Sequence, residues 1–533
     1  MHAVLRIGWT VVVVILISLG LLGKIIFLFW FSPAVAWRRL LRGGFSGPRP
    51  SFPRGNLAEM YCNRRVVVDR PLINAHGAVD DVISHDIHSA VFPYFATWRK
   101  IFGKVFVYWV GTEPFVYIAE PEFLKQVTSG GMRKKWGKPN VFKHDRMPMF
   151  GNGLVMVEGD DWTHHRHIIA RAFSTTNLNA MIGMMVESTG KMLDDWSSSR
   201  GAAAEAGGWE IDVEKGIIRN AAEIIAKTSF GIIQENGKKV FEKLQHMQIL
   251  LFKSNRLVGV PFSKILSPRQ SYEAWKLGKE IDGLLLDIIR SRKENPGSGG
   301  SGGGGDQKDL LGFLLEGIDG GEGGGRKLTS RELVDECKTF FFGGHETTAL
   351  ALTWTLLLLA LYPEWQKALR EEIMEVSAGQ PVTPHMLSKL TKMGWVWNEV
   401  LRLYSPAPNV QRQAREEVVI GKIVIPKGTN MWVDVVGMHH DRALWGDDVN
   451  EFKPERFKDH INGGCKHRMG FIPFGFGGRI CIGRNLTILE YKVVLSLILR
   501  KFVLSVSPAY IHSPKIMLSL RPSQGVPLML HHL

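Results

Sequence analysis

The chain has 533 residues, 45% of them hydrophobic and 22% charged, an ordinary globular balance with length enough for one large core or two domains. Its four cysteines, Cys62, Cys337, Cys465 and Cys481, are too few and too scattered for a disulfide framework, which favours a reducing compartment. The net charge of +15 is spread along the chain without basic arms or a nucleic-acid motif. This excludes a nucleic-acid partner and leaves solvated surface, anionic lipid or an acidic protein face.

Residues 9–31 are apolar apart from Lys24 and small residues. As a helix they would span roughly 34 Å, enough to cross a bilayer. A cleavable signal has a shorter apolar core and a small-residue cleavage site, and neither is evident. Arg38, Arg39, Arg42, Arg49 and Arg54 follow the stretch, against Arg6 and the amino terminus before it, so the following body is expected to stay cytosolic. The chain thus divides into an uncleaved membrane anchor over residues 1–31, a basic, proline-rich hinge over 32–58, and one globular domain over 59–533. The hinge contains SGPRPSFPRGN at 46–56, where proline removes donors and disfavours helix.

Helical and short strand-like patches alternate through residues 59–150 with no internal repeat. DDWTHHRHIIARAF, at 160–173, predicts an amphipathic helix with Trp162 and Arg166 on one face; alone, the pair reads equally as a surface stack. His164, His165 and His167 point different ways on such a helix and are expected to be solvated or packed rather than metal-binding. Residues 295–326 collapse into glycine in PGSGGSGGGG and DGGEGGG. Such runs cannot bury enough apolar surface to order themselves and predict flexible loops within one domain.

The longest helical signal covers residues 331–361 and is nearly free of charge from 339 to 362. A second membrane span would tolerate Gly343, Gly344, His345 and Glu346 poorly at its middle, so a buried central helix with a local distortion is expected. Thr347 there offers a hydroxyl to backbone or ligand. Glu399 and Arg402, in NEVLRLYSPAP, form an i, i+3 pair of a kind that is usually a weak surface bridge. Arg412 precedes EEVVIGKIVIPKGT, a strand pair with a turn, and PERF carries Arg456.

FGFGGRICIG, at 474–483, places Cys481 in a loop too rich in glycine for ordinary core. Gly475, Gly477, Gly478 and Gly483 let backbone amides approach what the sulfur holds. Arg479 supplies a fixed positive charge, and the helical run from Leu486 brings a positive helix end near the thiol. A dinucleotide-binding glycine loop would need a strand before it and an acidic residue after it. A structural zinc site would need ligands at another spacing than Cys465 and His467 provide. A buried free cysteine stays open on the loop alone.

These stretches together resemble the cytochrome P-450 family. F-x-x-G-x-R-x-C-x-G is met by Phe474, Gly477, Arg479, Cys481 and Gly483, and [AG]-G-x-[DE]-T-[ST] by Gly343 to Thr348. W-x-x-x-R is met by Trp162 and Arg166, E-x-x-R by Glu399 and Arg402, and the later arginine by Arg456. The resemblance implies a mainly α fold with a smaller β region, preceded by a single transmembrane helix. It implies heme b with Cys481 as axial thiolate, a ligand that favours O–O cleavage. Trp162, Arg166, Arg412, Arg479 and Phe474 would help hold the cofactor, and Gly343 and Gly344 would leave room for O₂. Thr347 and Glu346 would deliver protons, and Glu399, Arg402 and Arg456 would form a buried ion network.

The implied activity is hydroxylation of a small hydrophobic substrate on the cytosolic face of the endoplasmic reticulum membrane. Electrons would come from NADPH through a separate flavoprotein reductase that meets the basic surface. A heme-thiolate isomerase or dehydratase working without O₂, and a non-catalytic heme sensor, are the alternatives. FFFGGHETTALALTW and WGDDVNEFKPERF are similar to the plant clan called 72, which includes cytokinin and gibberellin hydroxylases. On the same resemblance residues 140–152 and 408–410 are pocket candidates.

Overall fold

The computed structural model describes residues 2–68, 83–200, 208–231, 235–252, 257–295, 309–317 and 326–533. Most of the glycine-rich stretch expected as loops lies outside them.

The apolar amino-terminal stretch is helical as α1 (His2–Ile26), passes through a π turn at Phe27–Phe31 and continues as α2 (Ser32–Arg42). Residues Val11–Arg42 form a helix long and apolar enough to cross a membrane, with none of its apolar window buried against the body. The expected hinge is different in kind. Its first part continues the helix through Pro33, directly after the π turn, and the rest is fastened to the body. Leu40 and Phe45 are buried, the Val107 amide donates to Ser46, and the Asn56 amide donates to Trp109. A Cβ at Gly47 would stand 1.9 Å from the Val107 carbonyl oxygen, so only glycine permits this approach. Proline stiffness was legible in the sequence, whereas the strand edge that receives the segment was not.

Twelve strands are present among the described residues. β1 (Val105–Val110), β2 (Glu113–Ile118), β3 (Trp136–Gly137), β5 (Asn409–Ala414) and β8 (Asn430–Asp434) form one sheet in the order β1-β2-β8-β5-β3. β4 (Trp209–Asp212), β9 (Phe502–Val506) and β12 (Pro527–His532) form a second, in the order β4-β12-β9. Two hairpins complete the β region: β6 (Val418–Ile420) with β7 (Ile423–Ile425), as expected from the sequence, and β10 (Pro514–Met517) with β11 (Ser519–Pro522).

The helices that matter for the site are α3 (Asn140–Phe150), α4 (Gly159–Ala172), α5 (Val213–Phe230), α6 (Glu235–Phe252) and α7 (Pro268–Glu294). They are followed by α8 (Ser330–Leu361), α9 (Thr391–Leu403) and α10 (Arg484–Lys501). The fold is mainly α with a smaller β region, as predicted.

α8 organises the core. A reciprocal capping box starts it, Thr329 accepting from the Glu332 amide and Glu332 from the Thr329 amide. It ends at Leu361 because Tyr362 precedes Pro363 and leaves the helical region, at φ −120° and ψ 76°. Leu333, Cys337 and Phe340 to Phe342 join one hydrophobic cluster, and Ala349 to Leu352 with Leu356 to Leu359 join another. Gly343 to Thr348 lies at the seam between them. This helix is core, not a second span. The helix runs unbroken through the glycines, where Thr347 and Thr348 donate to the carbonyls of Gly343 and Gly344 at 3.0 and 3.2 Å and α5 packs along it.

The two glycines do different work. A Cβ at Gly344 would lie 2.5 Å from Ile225 Cδ1 on α5, whereas one at Gly343 would meet nothing within 4 Å. Gly344→Val is therefore expected to destabilise the protein by about 1–3 kcal/mol through overpacking. Gly343→Ala should leave it equally or more stable, by up to about 1 kcal/mol. Denaturant midpoints of the two variants check both signs.

Candidate active site

The cysteine loop turns on two glycines with left-handed backbone, Gly475 at φ 77° and Gly477 at φ 66°. The Cys481 amide donates to the Phe474 carbonyl at 3.0 Å, closing the loop on itself. Phe474 packs toward Trp397 of α9, with ring centroids 6.2 Å apart. Cys481 is solvent-accessible, yet protein packs closely enough around the thiol for burial to be the largest influence on it. Burial pushes its pKa up. The amides of Gly483 and Arg484, at the start of α10, and the charges of Arg166 and Arg484 pull against that rise. The surroundings thus supply what a thiolate ligand needs and bulk water does not.

Cations converge beside the loop. Arg166 donates to Ile480 O at 3.0 Å, Arg479 to Val157 O at 2.6 Å and Arg412 to Gln411 O at 2.8 Å. Trp162 lies between two of them, 5.6 Å from the Arg166 guanidinium and 4.9 Å from that of Arg479. Among the described residues none of these three arginines forms an ion pair with a carboxylate. Glu158, whose charge Arg479 feels, is already bonded to Arg415, Lys143 and the Lys138 amide. Burial and the neighbouring Arg479 lower Arg412 to about 10. Burial, with Arg166 and Arg415, lowers Arg479 to about 10 as well.

Lys138 joins this cluster and was missed in the sequence. The β3–β5 register pairs Gly137 with Gln413, so the next step brings Lys138 beside Arg412. Burial, Arg412 and Arg479 hold its ammonium far below its ordinary pKa. No local signal could have found it, because strand pairing between distant segments creates the neighbourhood. Inward-facing cations without protein counter-charge, beside an enclosed thiol, fit a planar guest that carries carboxylate arms. The residues therefore fit a heme.

α8 supplies the facing wall. Phe173 packs against Phe340, with centroids 5.8 Å apart, and lies 4.0 Å from a Cβ built on Gly483. Thr348 reaches Thr487 of α10 at 3.4 Å. Gly343 is exposed and Thr347 half-buried within an otherwise buried helix, as chamber-lining residues would be. Glu346 is buried and accepts from Gln248 at 2.8 Å and from Ser519 at 2.6 Å. Those two residues of α6 and the β10–β11 hairpin were also missed.

The remaining predicted group comes together completely. Arg402 donates two hydrogen bonds to Glu399 at 2.6 and 2.7 Å, both residues fully buried, and reaches the carbonyls of His439, Val449 and Glu451. Arg456 stands 3.4 Å from Glu399 and 2.8 Å from Asp448. This is a network of a different order from a surface bridge. Cys465 and His467 do not make a metal site: His467 bonds Glu122 and the Met469 amide, and no cluster of three metal-ligating side chains exists among the described residues. Of the three α4 histidines, His165 is packed, 2.6 Å from Glu336 and 3.6 Å from Glu332 of α8.

A separate cleft of about 880 Å³ opens between α3, residues 257–267 and α7. Asn140, Val141, His144, Met147 and Pro148, from one of the two expected pocket stretches, line it, and residues 408–410 do not.

Residues 82–526 match the family model described as Cytochrome P450. A cytokinin hydroxylase of Arabidopsis thaliana is 35% identical over 99% of this chain and 99% of its own length. Cytochrome P450 734A1 of the same plant is 33% identical over 95% and 94%. Cytochrome P450 714C2 of Oryza sativa subsp. japonica is 34% identical over 97% of both chains.

Two outcomes follow from the charges. Arg412→Met removes a buried cation that lacks a counter-charge, so the cofactor-free protein should be no less stable than the parent. Cofactor loss to a competing apoprotein should accelerate about tenfold, equivalent to about 1.4 kcal/mol; slower loss, or a destabilised apoprotein, would contradict the assignment. For His165, burial alone would lower the imidazole, but Glu336 and Glu332 raise it above the ordinary value. Its stabilisation is full below about pH 6.5 and fades as pH climbs through the raised folded-state pKa. His165→Gln should therefore cost most stability in mild acid and least in alkali, as thermal unfolding across pH will show.

Proposed function

The chain belongs to the cytochrome P450 family, and on that premise we propose that it is a membrane-anchored heme-thiolate monooxygenase that hydroxylates a small hydrophobic substrate of the plant-hormone, terpenoid or fatty-acid class. The observation that carries this reading is a convergence: a cysteine thiol in a glycine loop, three arginines that lack carboxylate partners among the described residues, and an exposed glycine beside a buried glutamate and a threonine. Cytokinin hydroxylases are among the similar proteins, which makes a cytokinin-like molecule the first candidate within that class.

Cys481 is the axial ligand in this reading. Trp162, Arg166, Arg412, Arg479 and Lys138 hold the carboxylate arms, and Phe474 backs the loop. A thiolate-ligated heme, when bound, supplies the iron at which O₂ is activated, the sulfur pushing electron density toward O–O cleavage. Gly343 keeps space clear at the chamber wall. Thr347 presents its hydroxyl there while anchored to the Gly343 carbonyl, and Glu346 stores the proton that Thr347 passes inward. The buried apolar walls exclude water, so protons arrive only along such side chains. The Glu399–Arg402–Arg456 network holds the cysteine-loop side rigid. Electrons come from NADPH through a separate flavoprotein reductase docking on the basic surface.

Anchoring is supported at two places. The apolar helix Val11–Arg42 leaves the body exposed, and Phe29 stacks on Phe262, with ring centroids 6.2 Å apart. Near Phe262, the side chains of Ile265, Leu266, Tyr272 and Trp275 are exposed as well. Anchor and apolar patch would enter one membrane, that of the endoplasmic reticulum, with residues 59–533 on its cytosolic side.

Co-expression with a plant-type reductase, followed by mass spectrometry on cytokinins, gibberellins, fatty acids and terpenoids, tests the reading. An NADPH-dependent product heavier by one oxygen supports it; none across the panel, despite a normal thiolate–CO spectrum, counts against it. Cys481→Ala should abolish that spectrum. Thr347→Ala should keep the spectrum and uncouple NADPH consumption from product; unchanged coupling would remove Thr347 from proton delivery.

A further inference from the structure

Glu346 is part of a larger buried charge group that no motif describes. Arg521, on β11, donates to Glu214 at 2.9 Å and stands 3.9 Å from Glu346. Two carboxylates therefore share one guanidinium. The fourth member is His345, whose Nε2 lies 3.8 Å from Glu346 Oε2, with both side chains 1% exposed. Among the described residues neither of those two atoms has a hydrogen-bond partner. His345 uses its Nδ1 toward the Phe341 carbonyl, which must be a donated proton because the carbonyl can only accept. The Nε2 of the neutral ring is then a bare lone pair near a carboxylate oxygen. At that separation no hydrogen bond joins the two, and two buried acceptors this close repel unless one of them carries a proton.

The charge count agrees. Glu214, Glu346, Arg521 and a neutral imidazole sum to one net negative charge in a buried site, and burying an uncompensated charge is costly. One bound proton neutralises the group. Glu214 is its outer end: its side chain is 10% exposed and that of Arg521 16%, against 1% for Glu346. Beyond it lies Asp212 of β4, paired with the well-exposed Lys215 at 3.1 Å. Burial, Asp212 and Glu346 raise the Glu214 pKa, and Arg521 opposes the rise; burial lowers that of His345, and Glu346 opposes that.

Resting on the reading of Glu346 and Thr347 as the proton-delivery pair, we propose that Glu214, Arg521, Glu346 and His345 form a buried store for one exchangeable proton, with Glu214 as its solvent-side port. When Glu346 releases its proton toward Thr347, the Glu214 carboxyl passes one proton inward and is recharged from solvent. Arg521 keeps its proton throughout and stands between the two carboxylates, 2.9 Å from Glu214 and 3.9 Å from Glu346. Glu214 and His345 are positioning residues that act through Glu346. A purely structural group would instead be a fixed ion pair tying the β10–β11 hairpin to α5.

Infrared difference spectra of the full-length holoprotein, titrated from mildly acid to mildly alkaline pH in H₂O and D₂O, separate these cases. A store requires a protonated-carboxyl C=O band at neutral pH that shifts in D₂O, is lost or displaced in Glu214→Gln, and returns in Glu214→Asp. Glu214→Gln should also lower product formed per NADPH, increasingly so as pH rises, while leaving the CO spectrum intact. Absence of the band, or a band and coupling both unchanged in Glu214→Gln, overturns the store. If Glu346→Gln itself leaves coupling unchanged, the proton-delivery reading beneath it fails instead.

Discussion

Positive charge buried without protein counter-charge is the constraint from which the site follows. Moving a guanidinium out of water costs several kcal/mol unless it is paired; Arg412 is buried beside the half-buried Arg166 and Arg479, and among the described residues none of the three has a carboxylate partner. A fold keeps such a cost only where something else neutralises it. In the proposed reading the carboxylate arms of a heme would do so, which would tie cofactor binding to the stability of this region.

α8 turns that cluster into a chamber. Its two halves lie in different hydrophobic clusters, and its polar middle occupies the seam where neither cluster fills the space. An aliphatic segment there would have closed the seam. Glycine at 343 leaves open space, glycine at 344 admits Ile225 of α5, and the threonine hydroxyls are satisfied by carbonyls of their own helix. On the other side, the Glu399–Arg402 pair with Arg456 binds α9 to the segment leading toward the cysteine loop. Removing one partner would strand a buried charge, at about 3–5 kcal/mol.

The amino-terminal segment shows how tertiary contact revises a local reading. Its prolines and arginines describe a stiff, basic tether, yet residues 43–56 lie along the edge of β1, with Ser46 accepting from Val107 and Asn56 donating to Trp109. The apolar amino-terminal helix is thereby joined to the sheet by backbone bonds as well as by a proline-rich segment.

Local rules were enough for much of the protein. The anchor, α4, the length and buried character of α8, the β6–β7 hairpin and the loop around Cys481 follow from hydrophobic periodicity, caps and glycine spacing, all of which act within a few residues. Motif spacing also singled out Trp162, Arg166, Thr347, Glu346 and the Glu399–Arg402 pair as candidates, because each motif lies on one element. Lys138 beside Arg412, Gln248 and Ser519 on Glu346, and Arg521 between two carboxylates were decided only by the tertiary structure. Their partners lie on separate segments, and neither strand register nor the docking of a hairpin onto a helix leaves a trace in the residues on either side alone. Chemistry confined to one turn or loop is written in sequence; chemistry assembled across elements exists only once the apolar faces that bring them together have found each other.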